Sequence, residues 1–247
     1  MKGYREATRS FFERDVLAVA PDLLGCVLQR VDPSGAVAMR ITEVEAYAGE
    51  RDPGAHAYRG KTRRNETMFG PPGHIYSYFT YGLHHAINLV TSREGQPYGC
   101  LVRAGEVILG EELARKRREV TSRVTPLRQR DLARGPGCVA QAFGVTLSNN
   151  GDDLFGGGWG LLLPEIARVE PTSVGPRVGV SGVAGGRSFP WRFWITGDPT
   201  VSAYRPGKGV TDGDPTRAGR ERSTPSGIQK PGEDSSFTDL RMLRRGD

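Results

Sequence analysis

Two glutamates, Glu43 and Glu45, stand two residues apart and are followed by the aromatic residue Tyr47. Because side chains alternate along a strand, all three would lie on one face, with Val44 and Ala46 on the other. This pattern puts a carboxylate beside an aromatic plate on a rigid element, which suits a site for a flat ligand. Like charges in one closed site disfavour each other, so the two glutamates are not expected to serve equally. The alternative interpretation is an edge strand with a solvated face.

A second aromatic group lies in residues 75–90, where alternation puts Tyr76 and Tyr78 on one strand face. Gly82 directly after Tyr81 predicts a hairpin tip, since glycine takes the positive φ of tight turns. An ordinary β-hairpin with cross-strand aromatic pairs is one interpretation of this pattern. However, a large aromatic residue at a turn is poorly placed for core packing, so Tyr81 is predicted to insert into a ligand.

These residues, in this order, resemble the motifs of the alkyladenine (3-methyladenine) DNA glycosylase family. The longer motifs are E-V-E-A-Y at residues 43–47, H-A-Y-R-G-K-T-R-R-N at 56–65, Y-S-Y-F-T-Y-G-L-H-H-A-I-N at 76–88 and L-V-R-A-G-E at 101–106. Shorter matches are D-L-L-G-C-V-L at residues 22–28, G-P-G at 135–137 and P-R-V-G-V at 176–180. The resemblance spans about residues 12–204, and several ordered motifs are more specific than one short motif.

The resemblance implies an enzyme that hydrolyses the N-glycosidic bond of alkylated or deaminated purines in double-stranded DNA. Such an enzyme takes the damaged nucleotide out of the base stack and leaves an abasic site. Glu45 is the candidate general base that activates water, and Arg103 is the candidate that orients this water. The candidate base pocket consists of Tyr47, His56, Tyr78 and, at its floor, Asn88.

The resemblance also implies a set of DNA contacts. Tyr81 is expected to intercalate into the duplex together with Leu83, which stands where the family often has methionine. The candidate contacts to the DNA backbone are Arg59, Lys61, Arg63, Arg64, Gly135 and Gly137. Cys138 follows the G-P-G motif where the family commonly has Lys or Arg, and this departure argues against a cationic phosphate clamp there.

For the fold, we expect an α+β single domain with a curved, mostly antiparallel sheet, flanking helices and a protruding β-hairpin that inserts into DNA. Hydrophobic periodicity predicts helices over residues 12–24 and 106–118 and after the G-P-G motif, and strands over residues 25–30, 36–44, 177–183 and 191–196. The four cations at residues 115–118 indicate either a solvated helix face or a phosphate contact. The domain is expected to cover residues 1–204. Residues 205–247 are expected to form a disordered tail, whose deletion would change stability and activity little.

The 247 residues carry a net charge of +6, which is compatible with a polyanionic partner. Three widely spaced cysteines and the lack of a long apolar run favour reduced thiols and no membrane contact. We therefore expect a cytoplasmic monomer, associated with the nucleoid in a bacterium or nuclear in a eukaryote. No metal or other cofactor is expected, since His84 and His85 are adjacent and would face opposite ways on a strand.

Two rival functions remain open at this point. A non-catalytic, lesion-sensing DNA-binding protein of the same fold would need Tyr81 and the basic loop but not Glu45. A bifunctional glycosylase with lyase activity would need an amine nucleophile in the pocket. Lys61 is the only lysine in residues 41–103, and it belongs to the basic loop rather than to the predicted pocket.

Overall fold

Strand β3 (Gly35–Ala48) lies at the centre of a nine-stranded sheet in which all assigned strand pairs are antiparallel. The computed structural model describes residues 1–80, 84–119, 127–166 and 170–212. The other strands are β1 (Tyr4–Glu6), β2 (Val27–Asp32), β4 (Ile75–Thr80), β5 (His84–Thr91), β6 (Tyr98–Leu109), β7 (Trp159–Pro164), β8 (Thr172–Gly175) and β9 (Arg192–Ile195). The helices of this part are α1 (Val16–Asp22), α2 (Glu111–Arg118) and α3 (Pro136–Ala142). One sheet with flanking helices in a single domain confirms the expected α+β class.

β3 is covered on both sides where it carries the paired glutamates. It pairs with β6 along one side, and with first β2 and then β9 along the other. Glu43 faces Trp194 of β9, and irregularities of the β3–β6 register flank Glu43. Glu43 and Glu45 both have 0% exposure. The alternative of a solvated edge strand is therefore wrong for this segment.

The hydrophobic core explains why the glutamates are held so firmly. Val44 and Ala46 belong to the main core cluster, together with Val19 of α1 and Val139 of α3. Alternation along β3 thus directs small apolar side chains into the core and leaves the acidic residues on the opposite face, as the sequence predicts. Burial of β3 therefore holds Glu43 and Glu45 in fixed positions.

Two predicted helices are shorter than expected. Helix α1 begins at Val16 after Asp15, whose side chain accepts a hydrogen bond from the Leu17 amide, and it continues through Pro21. The second predicted helix is wrong over residues 106–109, which belong to strand β6. Gly110 separates strand from helix with a φ of +74°, and a side chain here would collide with the carbonyl of Ala36.

Residues 177–183 form a loop rather than the predicted strand. Arg177 and Val178 precede a 3-10 turn at Gly182–Gly185, while the predicted strand near residue 191 is confirmed as β9. Polar contacts of this loop with other segments replace strand pairing, and strands β1, β7 and β8 were not predicted at all. The loop contributes one wall of the candidate site described below.

The cluster of four cations on α2 is mostly used within the fold. Arg117 binds both carboxylate oxygens of Asp32, at 2.7 and 2.9 Å, and Arg115 pairs with Glu111 at 2.7 Å. The side chain of Arg118 is buried and donates to the carbonyl of Leu132. Arg117 and Arg118 hold α2 to its neighbours and Arg115 pairs within the helix, so the positive charge of these three arginines does not by itself indicate a phosphate site.

The packed chain extends beyond residue 204, where the tail was expected to begin. The carbonyls of Arg205 and Lys208 accept hydrogen bonds from Gly179 and Gly182, at 2.8 and 3.0 Å. Residues 205–212 therefore lie against the 178–182 loop. Residues 213–247, the rest of the expected tail, lie outside the described residues. Within the described part of the chain, no helix is long and apolar enough to cross a membrane.

Candidate active site

A cavity of about 620 Å³ opens between the β4–β5 hairpin, the start of α3 and the 178–181 loop. The residues that line it are Tyr47, Pro53, Gly54, His56, Met68, Tyr76, Tyr78, His84, Ala86, Asn88, Leu101, Arg103, Gly135, Pro136, Gly137, Cys138, Val178, Gly179, Val180 and Ser181. This set unites the four predicted pocket residues with Arg103 and both predicted glycines. Its size and its mixture of aromatic and polar groups are typical of a small-molecule site.

Strand pairing explains how the aromatic side of the cavity forms. Tyr76 faces Asn88 and Tyr78 faces Ala86 across the β4–β5 hairpin, so alternation directs these four side chains to one face. His56 packs edge-on against Tyr78, with 4.4 Å between the ring centroids. Asn88, at 5% exposure, donates its side-chain amide to the carbonyl of Tyr76. The hydrogen bond fixes the side chain of Asn88 in the lining of the cavity.

His56 is held in its neutral form. Its Nδ1 atom lies 3.1 Å from the hydroxyl of Tyr76, and the residue as a whole is partly accessible to solvent. Partial burial, and then the positive charge of Arg64, lower the pKa of His56 to about 4. An uncharged ring therefore faces the cavity near neutral pH.

Glu45 lies behind the cavity wall rather than on it. One carboxylate oxygen accepts the Val178 amide at 2.7 Å, and the other accepts the hydroxyl of Tyr47 at 2.9 Å. Burial, and then the adjacent carboxylate, raise the pKa of Tyr47, so this hydroxyl keeps its proton and donates. The Glu45 carboxylate therefore lies directly behind two lining residues of the cavity, Tyr47 and Val178.

Arg103 joins the two glutamates. Its Nε lies 3.2 Å from the carboxylate of Glu43, and one terminal nitrogen lies 3.5 Å from that of Glu45. The Glu43 carboxylate also accepts hydrogen bonds from Arg192 at 2.6 Å and from the Ser202 amide at 2.7 Å. The two acids therefore differ as expected, because Glu43 anchors cations while Glu45 stands next to the cavity.

The model of the family described as methylpurine-DNA glycosylase matches residues 10–199. The chain belongs to the methylpurine-DNA glycosylase family. It is similar to a Streptomyces avermitilis protein at 53% identity, over 80% of this chain and 91% of that protein. Proteins of Leifsonia xyli subsp. xyli and Methanocella arvoryzae are 50% and 41% identical, over 80% and 81% of this chain and 92% and 96% of their own lengths. All three carry the name "Putative 3-methyladenine DNA glycosylase".

Membership of the methylpurine-DNA glycosylase family makes the chain an enzyme of DNA repair, a DNA glycosylase. Its site also contains a buried ion pair that sequence reasoning missed. Arg177 binds Asp52 with two hydrogen bonds, one of them 2.7 Å long, and both side chains have 0% exposure. The guanidinium of Arg177 also lies 4.5 Å from the ring centroid of Tyr47. The pair supports both Tyr47 and the loop that carries the Val178 amide.

Of the residues predicted to contact DNA, Gly135 and Gly137 line the cavity, and Arg64 contacts the lining residue Tyr78. Arg59, Lys61, Arg63 and Arg64 are exposed, and Lys61 pairs with Glu66 at 3.0 Å. Arg64 lies over the ring of Tyr78, 5.5 Å from its centroid, so it belongs to the rim of the pocket. Tyr81 and Leu83 lie outside the described residues.

The remaining site residues were not assigned a role from the sequence. His84, Met68 and Cys138 line the cavity, and Ser202 donates to Glu43 while accepting from Arg103 at 3.0 Å. The P-R-V-G-V motif at residues 176–180 is the signal in the sequence that could have indicated a role for Arg177. Alternation over residues 177–183 instead predicts a strand. Among the described residues, no three His, Cys, Asp or Glu side chains are grouped to hold a metal ion.

Proposed function

We propose that this methylpurine-DNA glycosylase flips alkylated or deaminated purines out of duplex DNA and hydrolyses their N-glycosidic bond. Water activated by Glu45 attacks the anomeric carbon, and the product is an abasic site in an intact strand. The enzyme acts as a monomer on double-stranded DNA. The observation that carries this proposal is the buried carboxylate of Glu45, held by Tyr47 and the Val178 amide beside a cavity of about 620 Å³.

The contacts of Glu45 suit a general base. The Val178 amide and the Tyr47 hydroxyl donate to the carboxylate, and Arg103 supplies a positive charge at 3.5 Å. An ionised carboxylate offers about four lone-pair positions, so these neighbours leave capacity for one water molecule. The negative charge would also stabilise the positive charge that develops on the sugar in the transition state.

The aromatic walls suit a flipped base, including a cationic one. Tyr47, His56 and Tyr78 can stack on it, and stacking is worth roughly 1–3 kcal/mol per base. Since His56 is neutral near pH 7, it does not repel an alkylpurine that carries positive charge, which gains further attraction from the faces of Tyr47 and Tyr78. Asn88 would exclude normal guanine through its exocyclic amine.

The test is excision from duplexes that carry a single hypoxanthine, ethenoadenine or 3-methyladenine. We expect release of the free base and an abasic strand that breaks only after alkali. Borohydride should trap no covalent adduct, because no amine nucleophile acts. Strand cleavage without alkali, together with a trapped adduct, would instead establish a lyase.

Glu45→Gln separates catalysis from binding. It keeps the size and polarity of the side chain but removes its charge, so we expect single-turnover excision to fall by at least roughly 10²–10⁴-fold. Affinity for lesion duplex should survive, since stacking and phosphate contacts are retained. Parental excision by Glu45→Gln would exclude Glu45 as the base.

A further inference from the structure

Residues 205–212, the strap, lie against the segment whose residues 178–181 form one wall of the cavity. The carbonyls of Arg205 and Lys208 accept hydrogen bonds from Gly179 and Gly182, at 2.8 and 3.0 Å. At the far end of the strap, Asp212 accepts the Arg187 amide at 2.8 Å. The strap lies beyond residue 199, where the family match ends.

Two adjacent backbone amides donate the hydrogen bonds that Glu45 and the strap accept. The Val178 amide donates to Glu45 at 2.7 Å, and the next amide along the chain, that of Gly179, donates to Arg205. The loop is not part of a strand, so no sheet ladder fixes these two amides. A shift of the strap would therefore move the Val178 amide relative to the carboxylate.

The contact between strap and loop is close enough to exclude any side chain. A Cβ atom on Gly207 would collide with the carbonyl of Val180, and one on Gly186 would collide with the carbonyl of Thr211. The positive-φ glycines include neither of them, so the constraint is steric rather than conformational. The glycines allow the strap to lie directly on the backbone of the wall.

We propose that the strap positions the catalytic carboxylate by holding the 178–181 wall, so that residues 205–212 are a positioning element of the active site. This inference rests on the proposed function, in which Glu45 is the base. The proposal removes residues 205–212 from the tail that the sequence predicts over residues 205–247. We now expect deletion of residues 205–247 to reduce excision, whereas the sequence alone predicts that this deletion is harmless.

Gly207→Ala in the full chain tests the proposal, with Gly156→Ala as the control. A Cβ on Gly156 meets no atom within 4 Å, and its φ is not positive. We expect Gly207→Ala to lower the single-turnover excision rate by roughly 10–100-fold, the loss typical of misplaced catalytic geometry. Gly207→Ala should remain folded at the assay temperature with an affinity for lesion duplex near that of the parent, and exchange of the Gly179 amide should accelerate.

A double-mutant cycle distinguishes positioning from general support of the wall. If the strap acts through Glu45, then Gly207→Ala in the Glu45→Gln background should change excision by no more than about twofold. An equal loss in both backgrounds, or a parental rate for folded Gly207→Ala, would overturn the proposal. Should Gly207→Ala not fold, Gly186→Ala displaces the other end of the strap and should give a smaller loss in the same direction. If the parent enzyme itself does not excise the damaged base, the proposed function fails. This outcome is distinct from a failure of the strap proposal, which requires an active parent.

Discussion

The guanidinium carbon of Arg177 lies 4.5 Å from the ring centroid of Tyr47, so a buried cation supports the aromatic wall of the cavity. The same guanidinium donates to the carbonyls of Ala46 and Ala184, at 2.9 and 3.1 Å. One side chain thus ties β3 to the 178–185 loop. This arrangement makes the shape of the site dependent on an ion pair that has no contact with water.

Removing the partner of that cation should be costly. Asp52→Ala leaves the charge of Arg177 buried and uncompensated, and loss of one member of a buried pair typically costs about 3–5 kcal/mol. We expect a fall of this size in the free energy of unfolding, measured by denaturant titration. Glu66→Ala, which breaks the exposed pair with Lys61, is the control and should change it by about 1 kcal/mol or less. Equal effects of the two variants would contradict the importance of the buried pair.

Tyr47→Phe should separate stacking from the support of the base. The ring remains, but the hydroxyl that donates to Glu45 at 2.9 Å is lost. A hydrogen bond to a charged group contributes about 1.5–3 kcal/mol, so we expect excision to fall roughly 10–100-fold. Affinity for lesion duplex should be retained in Tyr47→Phe and reduced in Tyr47→Ala. A parental rate for Tyr47→Phe would show that the hydroxyl is dispensable.

The pKa of His56, about 4 in the folded protein against 6.5 in the unfolded chain, predicts a pH dependence. Between these values the unfolded chain binds a proton that the folded protein does not. The contribution of His56 to stability is therefore full above pH 6.5 and declines as the pH falls towards 4. This decline should be absent in His56→Gln when unfolding is measured across this range. An imidazole that titrates near 6.5 by NMR would contradict the prediction.

Tyr81→Ser tests the predicted wedge. The sequence predicts a turn at Tyr81 and Gly82, and a residue at a turn carries little core packing, so we expect the melting temperature to stay near that of the parent. Binding and flipping of a lesion duplex should weaken, because the gap left by the flipped nucleotide is no longer filled. Fluorescence of a base analogue at the lesion position measures flipping directly. Parental affinity and flipping in Tyr81→Ser would exclude the wedge.

The local sequence pattern was sufficient to predict the features that depend only on residue type and on neighbours in the chain. Alternation along β3 separated Glu43 and Glu45 from Val44 and Ala46, and it also predicted the hairpin face with Tyr76 and Tyr78. The glycine-rich turn before α3 was likewise recognisable, because few residues other than glycine adopt a φ of +108°, as Gly135 does. These features depend on neighbours in the chain, so they can be predicted without the fold.

The tertiary structure decided which charges belong to the site. Arg117 stands in a run of four cations and binds Asp32. Arg177 stands between a proline and a valine, binds Asp52 and lies 4.5 Å from the ring centroid of Tyr47 in the cavity wall. Their partners are 85 and 125 positions away, and pairing over such separations follows from strand order rather than from local pattern. For the same reason, only the fold brings Val178 against Glu45 and the strap against Gly179.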